Sequence, residues 1–146
     1  MEIIKRFILV DDSNISNVLS TFSIKRVFPE MDIKSYLNPE TALEDIEKEY
    51  SDKGHNIPTI LLLDINMPEM SGWEFLEVYK NFSDHLHSQF SIYILTSSVS
   101  EIDKTTSEQS PFVSGFLSKP LDPEWVRETF SQKIPVTEKL ENKEFS

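Results

Sequence analysis

An α/β fold built on a parallel, helix-flanked sheet is predicted by three features of this 146-residue sequence. Apolar runs of strand length alternate with amphipathic stretches of helical length, the pattern of successive strand–helix units. The run Thr59-Ile60-Leu61-Leu62-Leu63 is almost wholly apolar, as a central strand covered by helices on both faces should be. Two dipeptides, Asn38-Pro39 and Asp122-Pro123, combine an N-cap residue with proline at the first helical position and so mark helix starts between the runs. At 38% hydrophobic residues the chain holds enough apolar side chain for one core, and no internal repeat or low-complexity tract divides it.

Taken in order, Phe7-Ile8-Leu9-Val10 is the first strand. Ser13 or Asp12 caps a helix whose apolar positions Ile15, Val18, Leu19 and Phe22 recur at helical spacing, ending before Pro29. A short second strand is expected around 33–36, then a helix from Pro39 to about Tyr50 with Ala42, Leu43 and Ile46 as its buried stripe. The third strand delivers Asp64 at its carboxyl end. Ser71-Gly72 opens a helix carrying Phe75, Leu76 and Tyr79, and Ile92-Tyr93-Ile94-Leu95 is the fourth strand, with Thr96 at its end. A weakly patterned helix is expected over 101–110. Gly115-Phe116-Leu117 forms the fifth strand, followed by Lys119, and a last helix carries Trp125, Val126 and Phe130. Trp73 and Trp125 are expected to pack or to make surface contacts, and the stretch Asp84-His85-Leu86-His87 to be a solvated loop.

Composition excludes several function classes. Cysteine is absent, so disulfides, thiolate catalysis and Cys-ligated zinc are ruled out. The net charge is −11, from 25 acidic and 14 basic residues, without the basic run that phosphate-backbone binding requires. The first six residues lead straight into a short apolar stretch, too brief for a signal peptide or a membrane span, and the chain is expected to be soluble and cytoplasmic. Among the three glycines there is no GxGxxG or GxxxxGK[ST] phosphate cradle.

In open parallel sheets ligands bind beyond the carboxyl ends of the strands. Here those positions are Asp11 and Asp12, Asp64, Thr96 with Ser97, and Lys119. Individually each has an ordinary explanation in capping or solvation; together they place three carboxylates, a hydroxyl and an ammonium at one edge. Unit charges ~4 Å apart at an effective dielectric near 20 repel by roughly 4 kcal/mol, so a cation belongs among the carboxylates. Mg²⁺ suits an all-oxygen donor set, whereas the absence of Cys and of a strand-end His argues against zinc.

This constellation, Asp11-Asp12, the run from Leu63-Asp64-Ile65-Asn66-Met67-Pro68 to Gly72, Thr96-Ser97 and Lys119-Pro120, resembles the receiver domains of two-component response regulators. The resemblance covers about residues 5–133. It implies a flavodoxin-like, doubly wound sheet of five parallel strands in the order 2-1-3-4-5, with helices on both faces. The receiver would occupy residues 1–134, with a flexible C-terminal tail over 135–146. It implies Asp64 as the phosphoacceptor, taking a phosphoryl group from a phosphohistidine in a Mg²⁺-dependent reaction. Asp12 and Asp64 would ligate the metal through their side chains, Asp11 through water and Asn66 through its backbone carbonyl. Lys119 would pair with Asp64 and then with a phosphoryl oxygen, while Thr96 and Phe116 would form a conformational switch, the aromatic here lacking a hydroxyl.

The implied partners are a sensor histidine kinase or histidine phosphotransfer protein and a downstream protein target, with no direct nucleic-acid contact and no membrane insertion. Such a stand-alone receiver is no enzyme toward a separate substrate; it catalyses only its own phosphorylation and dephosphorylation. Two alternatives remain open. A haloacid-dehalogenase-type phosphohydrolase also uses an Asp after an apolar strand, but needs a second Asp two residues on, where this chain has Asn66. A pseudo-receiver would bind partners without phosphorylation.

Overall fold

The computed structural model describes residues 3–97 and 110–133. Five parallel strands form one sheet in the order β2-β1-β3-β4-β5. In chain order they are β1 (Arg6–Val10), β2 (Asp32–Tyr36), β3 (Thr59–Leu63), β4 (Phe90–Thr96) and β5 (Val113–Ser118). The helices are α1 (Asn14–Val27), α2 (Pro39–Tyr50), α3 (Gly72–Tyr79), the single turn α4 (Asp84–His87) and α5 (Pro123–Phe130), which runs into a 3₁₀ turn over Ser131–Lys133. The flavodoxin-like topology and strand order are those implied by the family resemblance.

Alternation along the strands divides the core in two. Ile8, Val10, Leu61, Leu63, Ile92 and Ile94 face Ala42, Leu43, Ile46, Phe75 and Tyr79 of α2 and α3. On the other face Phe7, Leu9, Ile60, Leu62 and Leu95 meet Ile24 and Val27 of α1 and Val126 and Phe130 of α5. Every residue of β3 is buried, which is why its sequence shows no polar alternation. Register aligns the carboxyl ends: Val10 lies beside Tyr36 on one side and Leu63 on the other, and Thr96 beside Ser118. The residues that follow these strands therefore share one edge.

Local chemistry sets the helix starts as the sequence indicates. Asn38 Oδ1 accepts from the N–H groups of Glu40 and Thr41, and Asp122 Oδ1 from that of Glu124. Ser71 and Glu74 form a reciprocal capping box at α3. One expectation fails. The Asp84–His87 stretch is a helical turn and not a loop: Ser83 caps it, Leu86 is buried, and the His87 ring lies 4.7 Å from that of Tyr79 and 4.8 Å from that of Phe112. Short spacing between caps concealed it, because one turn offers no periodicity to detect.

The orientation of α1 is not what its spacing alone would suggest. Its apolar stripe is turned outward, with Ile15 72% and Phe22 68% exposed and Val18 and Leu19 about half exposed. The buried positions are Asn17, Ser20, Ile24 and Val27. Partner requirements explain the rotation. Asn17 Nδ2 donates to the carbonyls of Asp11 and Tyr36, and Ser16 Oγ to the Asp11 carboxylate. A buried carboxylate or carbonyl left without a donor costs more than an exposed apolar side chain, which only forgoes burial. The expected helix over 101–110 lies, apart from Ser110, outside the described residues, as does the tail over 135–146.

Candidate phosphoacceptor site

The acidic edge is assembled by strand ends and tightened by side chain to backbone bonds. Asp64 follows β3, and its N–H donates to the Val10 carbonyl at 3.0 Å, while the Asp11 N–H donates to that of Tyr36 at 3.1 Å. Asp11 is 5% and Asp64 4% exposed; Asp12 is open to solvent. Carboxylate oxygens of Asp11, Asp12 and Asp64 all lie within 4.8 Å of one another.

The loop after Asp64 is held by Gly72. The Gly72 N–H donates to the Ile65 carbonyl at 2.8 Å. A Cβ at this position would lie 2.7 Å from the Asp64 carbonyl oxygen and 2.9 Å from the Ile65 Cα, closer than real Cβ atoms approach backbone. Glycine is therefore required for α3 to begin against the loop after Asp64.

Lys119 Nζ reaches both buried carboxylates, 2.5 Å from Asp11 Oδ2 and 3.5 Å from Asp64 Oδ2. The resemblance implied Asp64 as its partner; the shorter contact is to Asp11. The Lys119 N–H donates to the Thr96 carbonyl at 2.8 Å, which ties the β5 end to the β4 end. Thr96 is fully buried, and its Oγ1 accepts from Asn66 Nδ2 at 3.3 Å. The Asn66 N–H donates to Asp64 Oδ1 at 3.2 Å. Phe116 is half-buried on the α2–α3 face of the sheet, in register with Ile94.

Burial pushes the Asp64 carboxyl up to about 6 from its ordinary 3.8; the Asp11 carboxylate adds to this, and Asp12 does so more weakly. Lys119 and the Asn66 N–H act in the opposite direction without cancelling it. Among the described residues one ammonium thus faces three carboxylates, two of them buried, with oxygen the only donor element. That excess of negative charge fits a hard divalent cation such as Mg²⁺.

All the residues expected at the site converge, apart from Ser97, exposed at its rim, and Phe116, which sits one strand away. The residues that serve Asp11 carry no direct sign in the sequence. Ser13 N–H donates to Asp11 Oδ1 at 2.9 Å and Ser16 Oγ to Oδ2 at 2.7 Å. The available signal is a polar stripe on α1, Ser16, Asn17 and Ser20, opposite its apolar one.

The site opens through a depression of about 570 Å³ whose walls include Ile15, Leu19 and Pro120. Among the described residues no helix is long and apolar enough to cross a membrane.

Comparison with known proteins agrees with this geometry. A two-component response regulator from Cytophaga hutchinsonii has 27% sequence identity and a TM-score of 0.78, over 90% of this chain and 97% of that one. A response regulator receiver protein from Dyadobacter fermentans shares the fold at 23% identity and a TM-score of 0.77, over 89% and 98% of the two chains. A CheY-like receiver domain protein from Methanospirillum hungatei does so at 21% and 0.66, over 97% and 98%. No curated protein matches the sequence. The family model described as the response regulator receiver domain matches residues 7–131, so the chain belongs to the receiver-domain family of two-component signalling.

Proposed function

We propose that the protein accepts a phosphoryl group on Asp64 from a phosphohistidine and signals by a change of shape. The observation that carries this reading is a buried carboxylate at a strand end, within 4.8 Å of two others and 3.5 Å from a lysine ammonium. A carboxylate so placed is a nucleophile whose product charge is already matched. An Asp64 oxygen attacks phosphorus, the phosphorus–nitrogen bond of the donor breaks, and the imidazole leaves with the bonding pair. The product is an acyl phosphate on Asp64.

The Asp12 and Asp64 side chains, Asp11 through water and the Asn66 carbonyl would hold Mg²⁺, which would supply charge neutralisation at the transferring group. The chain's own residues do the rest. Lys119 leaves Asp11 for a phosphoryl oxygen, and the Thr96 hydroxyl donates to another, remaking its contact with Asn66. With Thr96 drawn toward Asp64, the Phe116 ring turns into the space behind β4.

The donor is a protein, a sensor histidine kinase or histidine phosphotransfer protein, because Asp64 lies in a depression walled by exposed apolar residues of α1 that such a partner would cover. The receiver catalyses only its own phosphorylation and dephosphorylation, acts on a downstream protein target, and works in the cytoplasm, where a cysteine-free acidic chain is at home. Phosphohydrolase chemistry is disfavoured at Asn66, whose amide donates to Thr96 and does not ionise, so it cannot serve as general acid and base. Incubation with acetyl phosphate and Mg²⁺ tests the assignment. One alkali-labile phosphoryl group should be added, and Asp64→Asn should abolish it; undiminished labelling of that variant overturns the proposal.

A further inference from the structure

We propose that Ser16 is a positioning residue for the cation site, holding the Asp11 carboxylate in its working orientation while Lys119 changes partner. The inference rests on the phosphoacceptor reading above and concerns the regulation of metal binding at that site.

Asp11 receives three donors. Ser13 N–H occupies Oδ1, and Ser16 Oγ shares Oδ2 with Lys119 Nζ, at 2.7 and 2.5 Å. Two of these donors come from the start of α1 and stay put, whereas Lys119 must leave when the phosphoryl group arrives. At that moment Oδ2 would lose its only charged donor. The Ser16 hydroxyl remains on the same oxygen, so the carboxylate is neither left without a donor nor driven to another rotamer.

Ser16 is itself fixed: its N–H donates to Ser13 Oγ at 3.2 Å, in the cap of the same helix, and Asn17 anchors the next position to the Asp11 and Tyr36 carbonyls. Charge gives the second reason. Lys119 orients Asp11 but cancels part of the negative charge a divalent cation needs. A neutral hydroxyl orients it and leaves that charge in place. The site therefore needs a donor of the serine type on Oδ2 as well as the lysine.

The test uses the whole chain and its Ser16→Ala and Ser16→Thr variants. Mg²⁺ affinity is measured by calorimetric titration of metal-free protein, and acetyl phosphate labelling is followed against Mg²⁺ concentration. Loss of one hydrogen bond to a charged group should weaken Mg²⁺ binding by about threefold to tenfold in Ser16→Ala. The Mg²⁺ concentration for half-maximal labelling should rise in proportion, and by more than the maximal rate falls. Ser16→Thr, which keeps the hydroxyl, should retain most of the affinity. In metal-free protein the Ser13 amide resonance should move in Ser16→Ala and not in Ser16→Thr, because it reports the orientation of Asp11. If the parent binds Mg²⁺ and is labelled while Ser16→Ala binds Mg²⁺ equally well, the positioning role is wrong and the phosphoacceptor reading stands. Equal losses in both variants also overturn the role. A parent that neither binds Mg²⁺ nor is labelled overturns both.

Discussion

Lys119 lies nearer to Asp11, at 2.5 Å, than to Asp64, at 3.5 Å, so the one ammonium at the site among the described residues is committed to Asp11 and not to the proposed acceptor. Asp64 is left buried with one backbone donor and a distant cation. Its raised pKa follows from that arrangement.

The stability of the metal-free protein should accordingly depend on pH through Asp64. With a folded-state value of about 6 against 3.8, the folded chain holds this proton more tightly than the unfolded chain. The associated stability is fully present below 3.8 and is lost as pH rises through about 6. At pH 7.5 the ionised side chain is a liability on the order of 1–3 kcal/mol. Asp64→Asn should therefore be more stable than the parent in urea unfolding at pH 7.5 without metal, and the gap should close on acidification toward about pH 4. Millimolar Mg²⁺ should narrow it from the other side, by stabilising the parent through binding. A less stable Asp64→Asn protein, or a gap that ignores pH, would contradict the electrostatics described.

Gly72→Ala should damage the acceptor loop. Replacing glycine near a helix start gains at most about 1 kcal/mol in propensity. The new Cβ, however, meets backbone atoms of Asp64 and Ile65 at 2.7 and 2.9 Å, and backbone cannot step aside as a flexible side chain can. A net loss of about 1–3 kcal/mol is expected, with a drop in Mg²⁺ affinity as Asp64 is displaced. Gly54→Ala is the control, since its Cβ would meet only the Asp52 side chain at 3.3 Å. Equal behaviour of the two variants in unfolding and Mg²⁺ titration would refute the steric account.

The convergence of Asp11, Asp12, Asp64, Thr96 and Lys119 was legible because it follows from strand ends, which apolar runs mark clearly, whereas the strand order came only through the family resemblance that those residues carry. The orientation of α1 was not legible. Its apolar spacing over Ile15, Val18, Leu19 and Phe22 satisfies the usual criterion for a buried stripe, yet Asn17 and Ser20 are buried in its place. Periodicity measures how apolar residues are distributed and says nothing of which backbone groups need donors. The demand came from the Asp11 and Tyr36 carbonyls and the Asp11 carboxylate, which are distant from one another in sequence or hidden in a strand end. The partner preference of Lys119 was equally invisible, because an ångström between two carboxylates leaves no trace in spacing.

The outward stripe of α1 should matter for a protein donor and not for a small one. Val18 and Phe22 lie on this stripe but do not line the depression around Asp64. Replacing both by serine should leave stability within about 1 kcal/mol, as exposed substitutions do. Labelling by acetyl phosphate should stay within about twofold of the parent, while transfer from a phosphorylated histidine protein should slow by about tenfold or more, the loss expected when one or two apolar anchors leave an interface. Equal transfer rates from the protein donor for parent and variant would remove α1 from the docking surface.

The switch should run from Asp64 through Thr96 to Phe116. Phosphorylation replaces a single carboxylate charge with a larger tetrahedral oxyanion, and this gives the Thr96 hydroxyl a strong acceptor. Thr96 is fully buried and held by Asn66 at 3.3 Å, so its movement exchanges one partner for another and opens space behind β4. Phe116 stands beside Ile94 on the same face and is only half-buried, so its ring has apolar area still to withdraw from water. Burying ~40 Å² of it contributes about 1 kcal/mol at ~25 cal/mol per Å². A bias of about 1–3 kcal/mol leaves both conformations populated, and partner binding completes the shift. Backbone NMR with Mg²⁺ and beryllofluoride, a mimic of the phosphoryl group, should show shift changes from Asp64 through Thr96 to Phe116 and α5. Thr96→Ala should still bind the mimic but lose the changes at Phe116 and α5. If those distant changes persist without the hydroxyl, coupling does not pass through Thr96.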